Sequence, residues 1–435
     1  MPGVNNYSSP RFVRMNGQSP AKPQMASWDF IMILVMPDTP AHKSLSVRRQ
    51  FFLCPLTIVM APTGIAILGS GIFAKEAHLP AIAKVGSSAV ELKAVYSRSQ
   101  KSAAGLASEA QSALKLAASP AVYSDDQPNA NLDALLGRSD ITAVIVVLPI
   151  TTQPSIILRA LAAGKHVLSE KPVAADVVRG LALIKEYETT YKPKGLVWRV
   201  AENFEVETGY QTAAQLIKEG KIGKVTFFNA RVVNYIDQTS KWYNTPWRTV
   251  PDYQGGFLLD GGVHTIAALR VLLPSPLKTL SGFASLNKKW LAPHDTINSV
   301  VQSADGSHGI IEMTFAAPLP SRSQTAGNGI TITGTDGYLT VNQVQVIDGG
   351  SSVGRFRITL RTVQKDANGK ETGEAEEIID KPVDGVPQEL ARFLKAVTGE
   401  DDGKGDARGA LADVAVIQAS LTSNGSPIDL QKLVQ

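Results

Sequence analysis

Three short segments of the chain carry side chains that together could move a hydride and a proton. The first is a glycine turn, Gly69-Ser70-Gly71-Ile72-Phe73-Ala74, which follows an apolar run and can hold a pyrophosphate at the start of a helix. The second, Ser169-Glu170-Lys171-Pro172, supplies an amine, and the third, from Gly255 to His264, supplies a carboxylate and an imidazole. Each segment is a weak signal alone, but their order and domain-sized spacing predict an enzyme that uses a nicotinamide cofactor.

The glycine turn has the local pattern of a dinucleotide site. Gly69 permits a tight turn, Gly71 lets a pyrophosphate approach backbone amides, and Ala74 keeps the helix close to the strand. The same residues could form a tight turn that binds no ligand. The apolar strand before them and the helix after them favour the nucleotide.

The residues after the second predicted strand indicate which nicotinamide cofactor is used. A site for NAD usually places Asp or Glu there, whereas this chain has Ser97-Arg98-Ser99. A guanidinium can bind a phosphate through two parallel hydrogen bonds, and a serine hydroxyl can donate another. We therefore predict NADP rather than NAD, the alternative being that Arg98 is only a solvated loop charge.

Lys171, Asp260 and His264 are the candidate catalytic residues. Lys171 follows the fifth predicted strand, so it emerges on the cofactor side and can hydrogen-bond a substrate oxygen. Asp260 and His264 lie four residues apart and share one face of a helix. The imidazole titrates near neutral pH and can take the alcohol proton, and the carboxylate can orient it or relay the proton. An isolated Asp and His at this spacing would more often be a helix cap and a buried structural histidine, but the combination with Lys171 favours catalysis.

The elements that must position these residues follow two different patterns of strands and helices along the chain. From Gly64, short apolar runs alternate with helical stretches, which predicts an α/β domain with a doubly wound parallel sheet of the Rossmann type. After Phe204, longer strands follow one another with few helices, which predicts a mixed or antiparallel sheet in an α+β domain, with a hairpin turn at 334–337. The predicted divisions are an extension over 1–62, an NADP-binding Rossmann domain over 63–203, and a C-terminal substrate-binding domain over 204–435.

The predicted elements alternate over the first domain and then become mostly strands. The strands expected in the first domain are 64–68, 91–96, 121–123, 143–148, 166–169 and 196–201, and the helices are 73–85, 99–117, 132–136, 153–163 and 175–187. The second domain is expected to contain strands near 225–233, 278–285, 296–303, 309–315, 329–333, 338–341 and 354–361, with helices near 211–219, 387–397 and 407–423.

Charge and cysteine content exclude several classes of function. The 435 residues include 43 Lys and Arg against 39 Asp and Glu, but six of the former and two of the latter precede Thr63, which leaves 37 of each sign in the body. A neutral body argues against nucleic acid as a partner. The single cysteine, Cys54, lies in the extension, so thiol catalysis and cysteine-bound metal are excluded from the body, and no metal is expected.

The first 62 residues differ in composition from the rest, since they hold six of the seven methionines. Their apolar runs, 30–36 and 51–60, are shorter than the ~20 residues that span a bilayer, so no membrane segment is predicted. Arg11, Arg14 and Lys22 precede the first acidic residue, as in a mitochondrial presequence. We favour the simpler interpretation that Met60 is the true start, that the upstream residues are a leader or misannotated translation, and that the protein is cytoplasmic.

These motifs together resemble the Gfo/Idh/MocA family, named for glucose-fructose oxidoreductase, inositol dehydrogenase and a rhizopine-catabolism protein, and most resemble its fungal NADP-linked branch. The likeness extends from Thr63 to the C-terminus. It rests on the segments 64–74, His78-Leu79-Pro80-Ala81-Ile82, 162–172, Ala201-Glu202-Asn203-Phe204, Gly223-Lys224-Val225, Trp247-Arg248 and 255–264.

The resemblance implies a role for each matching residue. Lys171, Asp260 and His264 match the family's catalytic lysine, aspartate and histidine. The open face of the second sheet commonly forms a homo-oligomer interface in the family. The cofactor would be held by Gly69, Gly71, Ile72 and Phe73 at the pyrophosphate, by Ser97 and Arg98 at the 2′-phosphate, by Leu148, Pro149, Glu170 and Lys171 at the nicotinamide, and by Asn203, Trp247 and Arg248 along the cleft.

Two positions depart from the family pattern. Gln153 stands where members often have histidine, and Ala267 replaces an acidic residue often found three positions after the catalytic histidine. These departures affect the substrate and the proton relay rather than the chemical class.

The expected function is hydride transfer between NADP and a secondary alcohol or carbonyl of a small molecule such as a sugar, polyol or diol, with Asp260 orienting His264. One alternative is a catalytically silent NADP-binding regulator, which the complete set Lys171, Asp260 and His264 disfavours. A second is a glycosidase that uses tightly held NAD, which Arg98 disfavours. No nucleic acid or membrane partner is expected.

Overall fold

A computed structural model describes residues 61–318 and 327–435. The predictions for the extension fall almost entirely outside these residues. The described chain forms two β-sheets, one between residues 63 and 201 and the other between 225 and 429. In the part of the chain that is described, no helix combines the length and the apolar character needed to cross a membrane.

The first sheet is the predicted doubly wound parallel sheet, which is confirmed. All its strands run parallel, in the order β3-β2-β1-β4-β5-β6 that is typical of a Rossmann fold. The central strands are apolar on both faces because helices cover both sides. Its strands are β1 (Thr63–Leu68), β2 (Val90–Ser97), β3 (Ala121–Ser124), β4 (Ala143–Val146), β5 (His166–Glu170) and β6 (Trp198–Ala201).

Five α-helices accompany the first sheet, and they follow the predicted pattern with shifts of a few residues at their ends. The helix after the glycine turn opens with a π-helical segment, Ala74–His78, before it continues as an α-helix. These helices are α1 (Leu79–Val85), α2 (Gln100–Ala113), α3 (Leu132–Leu136), α4 (Gln153–Ala162) and α5 (Val177–Glu186).

The second sheet is mixed, as predicted, and has nine strands in the order β14-β13-β12-β11-β7-β10-β9-β8-β15. Only β7 and β10 pair in parallel, and the 334–337 turn joins β11 to β12 as a hairpin. The strands are β7 (Val225–Val233), β8 (Leu277–Ser285), β9 (Thr296–Ser303), β10 (His308–Thr314), β11 (Gly329–Gly334), β12 (Gly337–Asp348), β13 (Ser351–Lys365), β14 (Glu371–Pro382) and β15 (Ile428–Asp429).

Six further α-helices lie after the first sheet in the described part of the chain. Of these, α6, α8 and α10 pack on the second sheet and on one another. They are α6 (Thr208–Lys218), α7 (Pro246–Thr249), α8 (Phe257–Leu272), α9 (Gly385–Val397), α10 (Ala407–Thr422) and α11 (Leu430–Leu433).

The far edge of the second sheet was not predicted from the sequence. The pattern indicated short strands over 338–341 and 354–361, whereas β12 and β13 pair over their full lengths and β14 pairs with β13. Strand β14, with the sequence Glu-Thr-Gly-Glu-Ala-Glu-Glu-Ile-Ile-Asp-Lys-Pro, is exposed almost throughout, so it lacks the alternation of a half-buried strand. Charged residues are usual on an edge strand, because they discourage pairing with other chains.

Helix α9 lies late in the sequence but contributes to the core of the first sheet. Leu390, Phe393 and Leu394 are buried there together with Ile65 and Ile67 of β1. The helix packs against α1 and β6. Residues from both predicted domains therefore share one apolar core.

A buried ion network fixes helix α8. The Arg270 guanidinium donates to Asp413 of α10 at 3.0 Å and to Glu205, which follows β6, at 3.1 Å. Burial opposes the charge, but Asp413 and Glu205 raise the pKa of Arg270 above its ordinary value. Helix α8 is thus tied to the end of the first sheet and to α10, and it carries both Asp260 and His264.

Candidate active site

The carboxyl ends of the parallel strands place the first group of site residues at one edge of the first sheet. Gly69 follows β1, Lys171 follows β5, and Glu202 follows β6. Ligands of doubly wound sheets bind at this edge. Helix α8 brings Asp260 and His264 to it through the contacts described next.

Asp260 is bound by two cations. The Lys171 ammonium donates to the Asp260 backbone oxygen at 2.8 Å and to its Oδ1 at 3.1 Å, and Arg248 Nε donates to Oδ2 at 2.7 Å. Burial by itself would raise the pKa of Asp260, but Lys171 and Arg248 outweigh it and hold the pKa well below its ordinary value. Asp260 is therefore an anion that fixes the position of the Lys171 amine.

His264 is held by a different carboxylate from the one expected. Its Nδ1 lies 2.6 Å from Glu202 Oε1, and the Phe204 ring stacks on the imidazole with centroids 4.8 Å apart. Burial would raise the pKa of Glu202, but His264 and then Lys171 outweigh it, so the pKa is lowered. Nδ1 faces Glu202, which leaves Nε2 as the nitrogen that can exchange a proton with a substrate.

The interpretation that Asp260 orients His264 is therefore wrong. The two residues do lie one helical turn apart on α8, as predicted, but both oxygens of Asp260 are bound by cations. A buried carboxylate is stabilised most by full charges at short range, and Lys171 and Arg248 supply them. Glu202 takes the orienting position.

The amine and the imidazole nevertheless lie in one neighbourhood. Lys171 contacts Asp260, one turn before His264, and its charge acts on Glu202, the partner of His264. The side chains of Lys171 and His264 are 12% and 21% exposed, so each is sheltered but accessible. An oxygen bound between them would meet one fixed donor and one proton acceptor.

The two glycines of the turn differ in their surroundings. Gly69 has φ +120°, and a Cβ there would lie 2.0 Å from the Val147 backbone oxygen, so the fold itself requires glycine. Gly71 is exposed, and a Cβ there would meet no atom within 4 Å. The fold does not require glycine at 71, whereas the close approach of a ligand would.

The predicted 2′-phosphate residues lie beside this turn. Ser97 is the last residue of β2, and Ser70 Oγ donates to its hydroxyl at 2.9 Å. Arg98 follows and is exposed, and no carboxylate of the described residues forms an ion pair with it. Asp126 accepts from the Gln100 amide at the start of α2, so an anion here would be bound by side chains rather than by that amide.

Glu170 is joined to the helix of the glycine turn. His78 Nε2 lies 2.7 Å from Glu170 Oε1, and both residues are buried. The Phe73 ring meets His78 edge to face at 5.5 Å. The end of β5, and with it Lys171, is thereby held to the helix that starts at the glycine turn.

A loop over 234–256 carries Trp247 and Arg248 to the site. The Arg248 guanidinium lies 4.0 Å from the Trp247 ring centroid and binds Asp260. Lys241 of this loop pairs with Glu76 at 2.5 Å, and Asp252 accepts from Thr151 at 2.9 Å. The loop is thus anchored to the glycine-turn helix and to the segment after β4.

The other predicted cofactor residues lie at the same edge. Ile72 belongs to the glycine turn, and Leu148, which follows β4, comes within 3.3 Å of where a Cβ on Gly69 would lie. Pro149 comes next in that segment, and Asn203, beside the His264 partner Glu202, donates to Glu207 at 3.4 Å. Contact of these residues with a cofactor stays a prediction.

Among the described residues, no three His, Cys, Asp or Glu side chains are grouped so as to hold a metal ion. A surface cavity of about 640 Å³ lies beside the loop, lined among others by Tyr243, Asp252 and Trp290. Its lining does not include Lys171, Asp260 or His264. The catalytic candidates are therefore not part of that cavity.

Glu202 was missed as a functional residue although a signal was present. It directly follows β6, as Lys171 follows β5, and these neighbouring parallel strands end at one edge. A carboxylate in that position is therefore expected at the same edge of the first sheet as Lys171. The sequence does not show that His264 comes from the second half of the chain to meet it.

Comparisons with known proteins agree with this geometry. A family model described as an oxidoreductase family NAD-binding Rossmann fold matches residues 63–195, and one described as the GFO/IDH/MocA C-terminal domain matches residues 210–340. Dehydrogenase FPY6 of Fusarium mangiferae is 35% identical over 366 residues, which cover 83% of this chain and 96% of the relative.

Two further relatives extend the comparison. A dTDP-3,4-didehydro-2,6-dideoxy-alpha-D-glucose 3-reductase of Streptomyces violaceoruber is 30% identical over 307 residues, which cover 66% of this chain and 78% of the reductase. The crystal structure of an oxidoreductase from Thermotoga maritima superposes with a TM-score of 0.70 at 27% identity, covering 86% of this chain and 99% of that one.

The two glycines of the turn should respond differently to alanine. We expect Gly71→Ala to change the free energy of unfolding by less than about 0.5 kcal/mol, because the added methyl group meets open space, and to weaken NADP binding about 10-fold. Gly69→Ala should lower the free energy of unfolding by more than about 2 kcal/mol, because of its φ and the contact with Val147. Urea unfolding and fluorescence titration with NADPH measure the two effects. Unchanged NADPH affinity in a well-folded Gly71→Ala variant would contradict the pyrophosphate assignment.

Proposed function

This chain belongs to the Gfo/Idh/MocA oxidoreductase family, and we propose that it is an NADP-dependent dehydrogenase or reductase acting on a secondary alcohol or carbonyl of a sugar, polyol or diol. The observation that carries the proposal is that Lys171 and His264 are each hydrogen-bonded to a buried carboxylate, and that the charges of both act on Glu202 at the strand-end edge that holds the glycine turn. The Rossmann half of the chain is an NAD(P)-binding domain.

The chain's own residues divide the acid-base work. An ammonium has three donors, and Lys171 uses two of them on Asp260, so the third can hydrogen-bond the reacting oxygen. His264 Nε2 takes the proton from an alcohol or gives one to a carbonyl, and Glu202 stabilises the imidazolium that forms. The cofactor, when bound at the glycine turn, supplies or accepts the hydride.

NADP is proposed over NAD because of the residues that follow β2. Arg98 is exposed and directly follows Ser97, whose hydroxyl faces the glycine turn through Ser70. A guanidinium and a hydroxyl suit a 2′-phosphate, whereas an acidic residue at the end of β2 would repel it. Asp126, beside the start of α2, already accepts hydrogen bonds from Ser124 and from the Gln100 amide.

A polyhydroxylated substrate is proposed because the site presents charged groups on fixed supports. Lys171, Arg248 and His264 each keep part of their side chain accessible while a buried partner holds them in place. Hydroxyl groups next to the reacting carbon would find both donors and acceptors there. The similarity to a reductase of a keto-sugar nucleotide supports this class.

We also propose that two copies of the chain associate through the open face of the second sheet. Exposed apolar side chains cluster on neighbouring strands of this face, and Ile310 of β10 stands directly opposite Val300 of β9. Phe227 and Phe283, also exposed, flank the pair on β7 and β8. An apolar patch on a sheet whose other face is covered by helices is suited to a second copy.

Removal of the acid-base residues tests the catalytic proposal. We expect His264→Ala and Lys171→Ala each to lower kcat/KM by about 10²- to 10⁴-fold, because proton transfer and the fixed donor are lost. The Kd for NADPH should stay nearly constant in His264→Ala. Activity is measured over a panel of sugars, polyols, diols and dicarbonyls. Exposed Lys185 provides a control, Lys185→Ala. Normal turnover in both active-site variants would overturn the assignment, and NADP binding without turnover in the wild type would favour a regulator.

The cofactor preference is tested at Arg98. Arg98→Ala should lower kcat/KM for NADP about 10- to 100-fold, because a charge-assisted hydrogen bond is lost, and leave kcat/KM for NAD almost unchanged. Arg138→Ala, which removes a positive charge paired with Asp140, is the matched control. If the ratio of kcat/KM for NADP to kcat/KM for NAD is the same in Arg98→Ala as in the wild type, the argument for NADP is removed.

The association of two copies is tested by placing two lysines on the proposed interface. Val300→Lys combined with Ile310→Lys should convert the oligomer to a monomer, because two ammonium groups would have to be buried. Light scattering gives the molecular mass in solution. Val178→Lys, at an exposed apolar residue of α5, should leave the mass unchanged. A wild-type protein that is already a monomer would refute the proposal.

A further inference from the structure

A small cavity lies behind His264, on the side of Glu202 away from the imidazole. Its volume of about 10 Å³ is room for about one water molecule. Glu202 and Glu389 of α9 line it, together with Arg199, Arg392 and Lys404. Glu202 therefore touches both the histidine and this cavity.

Residues that line the cavity carry buried polar atoms that have no hydrogen-bond partner among the described residues. They are Glu202 Oε2, both carboxyl oxygens of Glu389, and the Nε atoms of Arg199 and Arg392. Buried polar atoms usually have partners, and a water with two to four such neighbours is well held. Both carboxyl oxygens of Glu389 are buried.

We propose that Glu389 and a water molecule in this cavity form a proton path that joins Glu202, and through it His264, to the surface at Arg392 and Lys404. The inference rests on the proposed function, because it concerns the proton that the same site exchanges. Glu389 is a positioning and relay residue here, since it reaches the reacting atoms only through Glu202 and His264.

The proton balance is simplest for carbonyl reduction. His264 starts neutral, with its proton on Nε2. The neutral carboxyl of Glu389 gives a proton to the water, the water gives one to Glu202 Oε2, and the Glu202 carboxyl turns and gives its proton to His264 Nδ1, which forms the imidazolium beside the Glu202 carboxylate. His264 Nε2 then gives its proton to the substrate oxygen, and a turn of the neutral imidazole places the remaining proton on the substrate side again. One proton then enters from solvent and restores Glu389. Oxidation of an alcohol runs the same transfers in reverse, and no electron moves in any of these steps.

Burial and the carboxylates around Glu389 favour its protonated form. Burial raises the pKa of Glu389 well above its ordinary value, and Glu170, Glu202 and Glu207 raise it further, opposed by Lys171. The groups that face it from the elements packed around α9 are Glu170, Lys171 and His78 at the end of β5 and the glycine-turn helix, Arg199, Glu202 and Glu207 around β6, Arg392 on α9 itself, and Lys404 on the loop before α10.

The outer end of the path reaches solvent. The side chains of Arg392 and Lys404 are each 34% exposed, and Arg392 pairs with Asp402 on the loop that carries Lys404. By contrast, the His264 side chain is only 21% exposed, on the side where a substrate would bind. A path through the interior can therefore exchange protons while the substrate covers the histidine.

The first test needs no substrate. Because the pKa of folded Glu389 lies above the ordinary 4.5, the folded protein binds more protons than the unfolded chain above that pH, so stability falls as pH rises towards the folded pKa. The Glu389→Gln variant has no carboxyl group at this position and therefore cannot bind the extra proton. We expect the urea midpoint of the wild type to shift below that of Glu389→Gln as pH increases from about 4.5 to neutral. If the difference in urea midpoint between the wild type and Glu389→Gln stays constant over this pH range, Glu389 holds no proton and the proposal is overturned.

The second test measures proton delivery during reduction. Glu389→Gln should lower kcat at saturating NADPH and carbonyl substrate about 10-fold and increase the solvent deuterium isotope effect, with both KM values unchanged. Glu389→Asp, which keeps an acid, should recover most of kcat. Glu207→Gln removes another acid of raised pKa in the same neighbourhood that does not line the cavity, and it should leave the isotope effect as in the wild type.

The outcomes separate the two proposals. An active wild type with the same kcat and isotope effect in Glu389→Gln refutes the proton path and leaves the proposed function intact. If Glu207→Gln changes kcat and the isotope effect as much as Glu389→Gln does, the proton path is also refuted, because the loss of any nearby acid would then explain both changes. A wild type that reduces no carbonyl across the panel refutes the proposed function instead, while the unfolding experiment still reports whether Glu389 holds a proton.

Discussion

The site depends on one buried anion, the carboxylate of Asp260 between Lys171 and Arg248. Each partner comes from a different part of the chain: Lys171 from the end of β5, Arg248 from the loop over 234–256, and Asp260 from α8. A buried charge is tolerated only when it is paired, so loss of either cation would leave a costly residue in the interior. The pairing fixes the amine, the loop and the helix at once, and His264 follows because it lies one turn further along α8.

The buried acids of the site fall into two classes by their surroundings. Asp260 and Glu202 have cations or an imidazole beside them, and their pKa values are lowered despite burial. Neither Glu207 nor Glu389 is hydrogen-bonded to a cation among the described residues, and burial raises the pKa of Glu207 to about 7 and that of Glu389 well above its ordinary value. Acidic residues within one small region therefore differ in how readily they release a proton, depending on the groups beside them.

Much of the architecture follows from the sequence because it depends on local patterns. The parallel sheet, the glycine turn at Gly69 and the placement of Lys171 follow from apolar runs and strand ends. The pairing of His264 with Glu202 does not, because it joins residues 62 positions apart through the packing of α8. Strand β14 was missed because its stabilisation comes from pairing with β13 rather than from an apolar face, and Glu389 looks like an ordinary helix glutamate until α9 is placed on the first sheet.

The position of α9 also limits how this architecture can be recombined. Leu390, Phe393 and Leu394 complete an apolar core whose other members, such as Ile65 and Ile67, lie more than 300 residues earlier. A chimera that exchanges the nucleotide sheet at the 203/204 boundary would keep the host's α9 against a foreign sheet surface. Successful grafting of a different cofactor specificity would therefore require two non-contiguous segments to be exchanged together, or single substitutions beside the glycine turn that leave this core untouched.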